Sequence, residues 1–173
     1  MCSESYMEIE NGILLDHWGS ETEITVPDEV TAIGEKTFMC HKNLARIEIP
    51  KGVLRIGERA FDQCRSLKHI VIPNGITTVS EGIFYGCISL ESVILPDTVT
   101  EIGRYAFYRC KSLRKIIIPE NVKRICYRAF YNCENLEEAF LPNSEMNIAD
   151  IGSDACYLHM GKRGWITLRE VMD

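Results

Sequence analysis

The chain lacks the features of two large functional classes. Uninterrupted apolar runs are short: Ile116–Ile118 is stopped by Pro119, whereas a membrane-spanning helix needs about 20 apolar residues. We therefore expect no membrane insertion. Basic residues are fewer than acidic ones, 19 against 25, and the net charge is −6. Because an acidic surface repels phosphate and Lys162-Arg163 is too short for a basic patch, nucleic acid is not an expected partner.

Signatures of catalysis are also missing. There is no glycine-rich phosphate loop, no Gly-x-Ser-x-Gly and no His-Glu-x-x-His. Cys40 beside His41 is the most tempting nucleophile–base pair, but sequence neighbours rarely have the required geometry. The other histidines are His17, His69 and His159. We therefore predict no catalytic residues, no enzyme activity and no cofactor.

The N-terminus, residues 1–6, has no basic stretch followed by an apolar one. It does not resemble a secretory leader, and the sequence as written predicts a cytoplasmic location. The alternative is a cell-surface location, if this chain is a fragment of a longer secreted protein.

A 23-residue repeat dominates the sequence. All 6 prolines are spaced 23 residues apart. Five phenylalanines keep the same step, and so do five leucines. The repeat unit reads L-x-x-I-x-I-P-x-x-V-x-x-I-G-x-x-A-F-x-x-C-x-x, with local departures such as Ser80 and Cys126 at the glycine and His41 at the cysteine. The prolines and phenylalanines are Pro27, Pro50, Pro73, Pro96, Pro119, Pro142, Phe38, Phe61, Phe84, Phe107 and Phe130.

Each repeat predicts one coil of a solenoid. L-x-x-I-x-I is a short strand whose first, fourth and sixth residues point inward, and proline ends its pairing. V-x-x-I-G places two further apolar residues inside and turns at the glycine. A-F-x-x-C-x-x-L has near-helical spacing, which predicts a helical or 3₁₀ segment, or a turn. Stacked coils bury the apolar side that a single coil exposes.

The two ends depart from the repeat, as the caps of a solenoid do. Residues 6–26 predict a small meander with a hairpin turn at Asn11-Gly12. Trp165–Leu168 is a candidate last strand. We therefore expect one domain over 1–173, with an N-terminal cap at 1–23, five repeats and the start of a sixth over 24–142, and a degenerate repeat with a C-terminal cap over 143–173.

At these residues the chain resembles the BspA-type leucine-rich repeats, whose 23-residue units carry I-P-x-x-V-x-x-I-G-x-x-A-F-x-x-C. The resemblance covers roughly residues 23–142. It implies an α/β repeat protein: a right-handed leucine-rich-repeat solenoid with a parallel sheet on the concave face and short helical, 3₁₀ or turn segments on the convex face. It also implies protein recognition, often on a bacterial or protozoan surface, and no enzyme activity.

Four of the 8 cysteines, Cys64, Cys87, Cys110 and Cys133, share one column of the repeat. Buried thiols acting as small apolar side chains are the favoured interpretation. Disulfides between neighbouring coils are an alternative, because stacked coils bring Cα atoms close. A metal site is disfavoured, since a linear column does not converge tetrahedrally and Cys156-x-x-His159 supplies just two ligands.

A partner is expected on the outward side of the long strands. One outward column reads Thr25, Glu48, Val71, Ile94, Ile117 and Phe140, and the column beside it includes His69 and Lys115. The candidate binding residues are therefore Val71, Ile94, Ile117, Phe140, His69 and Lys115, for a protein partner or for self-association. Two alternatives stay open: β-branched residues also suit strands for their own sake, and the C-terminal tail could cover the column.

A second candidate surface is aromatic. Tyr85, Tyr108 and Tyr131 share one column, with Tyr105 and Tyr127 nearby, and a half-buried stabilising ladder is favoured over a contact site. Glu35, Glu58 and Glu81 form a column expected to be a solvated outer edge. The sequence thus predicts a non-catalytic binding module, with a structural or adhesive segment of a cell-surface protein, and a glycan ligand, as the alternative.

Overall fold

The computed structural model describes residues 5–136 and the backbone of two further strands, Glu138–Phe140 and Trp165–Thr167. This part of the chain contains strands and turns but no helix, and therefore none that could cross a membrane. The strands are β1 Tyr6–Glu10, β2 Ile13–Trp18, β3 Glu23–Thr25, β4 Ala32–Ile33, β5 Arg46–Glu48, β6 Arg55–Ile56, β7 His69–Val71, β8 Thr78–Val79, β9 Ser92–Ile94, β10 Glu101–Ile102, β11 Lys115–Ile117, β12 Arg124–Ile125, β13 Glu138–Phe140 and β14 Trp165–Thr167.

Two parallel ladders run along the solenoid. The long-strand ladder is built from three-residue strands, in the orders β3-β5-β7-β9 and β11-β13. The short-strand ladder is built from two-residue strands, in the orders β4-β6 and β8-β10-β12. Every parallel pair within these two ladders joins residues 23 positions apart, for example Ile70 with Val93 and Ile102 with Ile125. One repeat is therefore one coil, and the second ladder is a feature that the repeat pattern did not predict.

The N-terminal cap is a hairpin. β1 and β2 are antiparallel, and both turn residues, Asn11 and Gly12, have positive φ, as the Asn-Gly sequence predicted. The predicted meander is wrong, because β3 does not pair with β2. Instead β2 pairs in parallel with β4, and β3 pairs in parallel with β5 as the first long strand.

The segment between the short strand and the next long strand is a series of turns. The expected helical or 3₁₀ conformation is wrong for the described residues, and so is the α/β class; the turn alternative is the one observed. The backbone N–H groups of Lys36, Phe38 and Cys40 donate to carbonyls of the next coil, at 2.7–2.9 Å. Lys36 and Cys40 also have positive φ, and this pattern recurs in every described coil. Such a backbone cannot continue a helix.

The core lies between the two ladders and is the same in each coil. Leu44, Ile47, Val53 and Ile56 are buried in one repeat, which confirms the predicted inward positions. The phenylalanine rings stack from coil to coil, with centroids 5.1–5.6 Å apart over Phe38, Phe61, Phe84, Phe107 and Phe130. The stack continues through the coils that the structure describes and ties neighbouring repeats together.

The glycine column marks close approach between coils rather than a special backbone conformation. Neither Gly57 nor Gly103 has positive φ, but a Cβ on Gly57 would lie 2.5 Å from Glu35 N, and one on Gly103 would lie 2.8 Å from Val79 O. Their N–H groups donate to the preceding coil, to Ile33 O and Val79 O. At the Ser80 position the side-chain hydroxyl donates to Ile56 O. In the part of the chain that the structure describes, β6 and β8 do not pair, so the short-strand ladder is interrupted at Ser80.

Candidate functional site

The outward face of the long-strand ladder carries an apolar stripe, defined as Val71, Ile94 and Ile117. These three side chains are 59%, 60% and 63% exposed, whereas their strand neighbours Ile70 and Ile116 are buried. Val71 and Ile94 are register partners on β7 and β9. Alternation along the strand causes this pattern, because residues next to an inward side chain must point outward.

The polar residues predicted beside the stripe lie next to it on the same strands. His69 Nδ1 is 2.8 Å from Ser92 Oγ, which joins β7 to β9 on the exposed face. Lys115 begins β11 and is exposed. Phe140 is opposite Ile117 in the β11–β13 register, which places its backbone at the end of the stripe; its side chain lies outside the described residues.

The C-terminal strand extends the edge of the long-strand ladder. β14 pairs antiparallel with β13, and Trp165 is opposite Phe140 in the register. The predicted last strand is therefore present over Trp165–Thr167. In this arrangement the backbone of β14 adds to the sheet beside β13 and does not cross the stripe.

Charged residues of opposite sign border the stripe. Exposed Lys68 and Arg114 precede β7 and β11, so the side where the strands begin is mainly basic, with Glu91 as an exception. Exposed Asp97 and Glu120 follow two of the prolines, so the side where the strands end is mainly acidic, with Lys51 after Pro50 as an exception. The stripe therefore runs between a basic flank and an acidic flank.

The tyrosine column is a structural ladder. Tyr85 and Tyr108 stack with centroids 4.6 Å apart, and Tyr108 and Tyr131 with centroids 5.4 Å apart. Arg59 lies over Tyr85, and Arg128 lies 4.9 Å from the centroid of Tyr131. Because the ring faces are used by each other and by guanidinium groups, the column stabilises neighbouring coils, as the favoured interpretation predicted.

The cysteine column is a row of buried thiols. Cys64, Cys87, Cys110 and Cys133 each donate from Sγ to the carbonyl of the phenylalanine in the preceding coil, at 3.0–3.2 Å. Burial raises the pKa of Cys64 to about 12, and it raises the pKa values of Cys87 and Cys110 well above their usual range. The favoured interpretation is confirmed, but the carbonyl acceptors were not predicted.

A pair of histidines, His17 and His41, lies at the N-terminal end of the cysteine column. The repeat pattern did not predict this pair. His17 Nδ1 lies 2.8 Å from His41 Nε2, so one imidazole donates to the other. His17 is buried, and its Nε2 is 3.6 Å from a carboxylate oxygen of Glu21. Burial, followed by the charge of His41, lowers the pKa of His17. The signal was available in the sequence, since His41 occupies a cysteine position of the repeat.

The nucleophile–base pair considered in the sequence is not formed in the structure. The ring nitrogens of His41 face His17 and the carbonyl of Met39, so His41 is not paired with Cys40. Over residues 5–136, no three histidine, cysteine, aspartate or glutamate side chains group as a metal site requires. His159, Cys156 and the Lys162-Arg163 pair lie outside the described residues.

A polar groove of about 710 Å³ lies along the short-strand ladder. Its lining combines small residues and Tyr127 with the charged side chains of Arg55, Arg104, Glu58 and Glu81. Arg124 and Glu101, whose side chains are 2.6 Å apart, also line it. Glu58 and Glu81 thus line a groove, whereas Glu35 pairs with Lys36 on the surface. Positive and negative charges along the groove balance, and Tyr127 is the one aromatic residue among the described residues that line it. The stripe, with three exposed aliphatic side chains in a row, is the stronger candidate for protein contact.

Comparison with known proteins identifies the repeat. The family model for the BspA type leucine rich repeat region matches residues 31–159 in six copies. A search of curated proteins found no match.

Three crystal structures of leucine-rich repeat proteins are similar to this chain. The protein from T. pallidum is 28% identical with a TM-score of 0.73, over 80% of this chain and 68% of that one. A protein from Bacteroides ovatus is 32% identical with a TM-score of 0.69, over 80% and 39%. A leucine rich cell surface protein from Faecalibacterium prausnitzii is 25% identical with a TM-score of 0.56, over 82% and 55%. The chain thus spans about two fifths to two thirds of these structures.

Proposed function

Because the chain belongs to the BspA-type leucine-rich repeat family, we propose that it is a non-catalytic module that binds another protein through the long-strand face. In general terms, the repeat family indicates a module for protein interaction or adhesion. The observation that carries the specific proposal is the apolar stripe, where three aligned side chains are about 60% exposed. An exposed apolar patch of roughly a few hundred Å² often marks a site of protein contact.

The stripe can supply useful affinity. Burying the remaining three fifths of each side chain contributes about 1–2 kcal/mol, and the three together about 3–5 kcal/mol. That range corresponds to roughly a hundred- to several-thousand-fold in affinity. His69, Lys115 and Phe140 complete the proposed contact set, with the polar residues setting orientation at its rim.

The experiment uses two variants with matched surface chemistry. Ile94→Glu combined with Ile117→Glu places two charges on the stripe. Leu54→Glu is the control, because Leu54 is also 63% exposed but lies beside the short-strand ladder. Affinity capture from the cells that make the protein is expected to yield a partner with the wild type and with Leu54→Glu, and to lose it with the double variant. Capture that survives the double variant contradicts the proposal.

The second candidate is an adhesive segment at a bacterial surface. It is supported by the name of the Faecalibacterium prausnitzii relative, a cell surface protein that is 25% identical. A glycan ligand finds less support, because the stacked tyrosines offer edges rather than open ring faces. Exposure of the chain to an impermeant label on intact cells tests this location against the cytoplasmic one that the sequence predicted.

A further inference from the structure

We infer that the apolar stripe takes an amphipathic α-helix of the partner, lying along the solenoid axis across the strands. This inference rests on the proposed function and specifies the partner's chemistry. It is carried by three properties of the long-strand face: its width, the spacing of its side chains, and the charges on its two flanks.

The width of the face matches a helix. Each long strand has three residues, which limits the face to a width of about 10 Å. The diameter of a helix with its side chains is about 10–12 Å. A stable dimer buries about 800 Å² on each partner, far more than a strip of this width along six coils provides. A single helix therefore fits the face better than a second copy of the chain.

The spacing of the stripe also favours a helix. Val71 and Ile94 are partners on paired strands, which sets a step of about 4.8 Å, and the 23-residue repeat gives Ile117 the same position in the next coil. A helix presents one apolar residue per turn of about 5.4 Å, so the mismatch across three side chains is roughly 1.2 Å. An extended strand along the same axis presents alternate residues about 6.6 Å apart, and its mismatch reaches roughly 3.6 Å. Flexible side chains absorb the first difference but not the second.

The flanks define which helix. Lys68 and Arg114 are exposed on one side of the stripe, and Asp97 and Glu120 are exposed on the other. A helix whose apolar residues recur at i, i+3 or i+4, and i+7, with acidic residues towards the basic flank and basic residues towards the acidic flank, matches both sides. Turning the helix end for end exchanges its two edges, so the charges set the direction of the helix, and a helix with two edges of the same sign cannot match both flanks.

The probe is a set of stapled peptides of about 15 residues, long enough for several helical turns. The first carries leucines at helical spacing and the matched charges. The second has the same composition with alternating leucines, and the third has acidic residues on both charged edges. Binding is measured by fluorescence anisotropy against the wild type, Ile94→Glu and Leu54→Glu. Light scattering with and without reductant gives the oligomeric state.

The expected result is that the first peptide binds the wild type and Leu54→Glu equally and Ile94→Glu at least tenfold more weakly. The alternating peptide should bind at least tenfold more weakly than the first, and the peptide with two acidic edges should lose affinity mainly at low salt. Equal binding of the alternating peptide, insensitivity to Ile94→Glu, or a stripe-dependent dimer overturns the inference. If no peptide binds while the double variant still loses a captured partner, the helix inference fails and the proposed function stands.

Discussion

Two glycines of one coil test why this repeat contains a glycine column. Replacing Gly57 with alanine puts a Cβ 2.5 Å from Glu35 N and 2.7 Å from Gly34 O. Both neighbours are backbone atoms and cannot rotate away, so the coils must separate locally. Overpacking of this kind costs about 1–3 kcal/mol, and we expect about 2–3 kcal/mol here. Gly52→Ala is the control, because its Cβ would find no atom nearer than 3.9 Å.

The assay is urea denaturation followed by circular dichroism, with stability taken from the midpoint and slope. Gly57→Ala should lower the free energy of unfolding by the stated amount. Gly52→Ala should stay within about 0.5 kcal/mol or stabilise slightly, since it reduces the freedom of the unfolded chain. If both variants behave alike, close approach of the coils is not the reason for the glycine column.

Three further predictions concern the core and the cap. Phe84→Ala should cost about 3–5 kcal/mol, because Phe84 is buried between Phe61 and Phe107, whereas Phe84→Leu should cost clearly less; equal urea midpoints for the two variants would contradict the stacking argument. Maleimide labelling mapped by mass spectrometry should modify exposed Cys40 in the native protein and leave Cys64, Cys87 and Cys110 unmodified until unfolding; labelling of the column in native protein would refute its burial. The pKa of folded His17 lies below the usual 6.5, so the unfolded chain takes up more protons as the pH falls from about 7.5 to about 5.5. The free energy of unfolding should therefore fall over that window, and His17→Phe should reduce this fall. If the pH dependence of the free energy of unfolding is the same in His17→Phe, His17 is not its cause.

Much of the solenoid was predictable because the repeat is regular. Twenty-three-residue spacing identified the coils, and strand alternation separated buried Ile70 and Ile116 from exposed Val71 and Ile117. The Asn11-Gly12 turn followed from the freedom of these residues at positive φ. Each of these features depends on local chemistry that every copy repeats.

The helical segment was mispredicted because its hydrogen bonds are between coils. Apolar spacing in A-F-x-x-C-x-x-L is compatible with a helix, but it carries no information about where the N–H groups donate. Residues with positive φ here include lysine, arginine and tyrosine, which do not mark that conformation. Gly82 and Gly86, four residues apart in the same columns, were the available signal.

The outward orientation of the stripe was predicted, but its surroundings were not. Outward residues follow from alternation, so the column of the stripe was readable. Its exposure depends on what else packs there, and the pairing of His17 with His41 depends on how the hairpin cap meets the first coil. Such long-range contacts have no periodic counterpart in the sequence.

Site-specific photocrosslinking tests the central claim most directly. A benzophenone amino acid is placed at Ile94 in one variant and at Leu54 in another, because both positions are about 60% exposed but lie beside different ladders. Illumination in the cells that make the protein should give a discrete protein adduct from position 94 and none from position 54. Equal labelling from both positions, or none from position 94, would contradict the long-strand face as the binding surface.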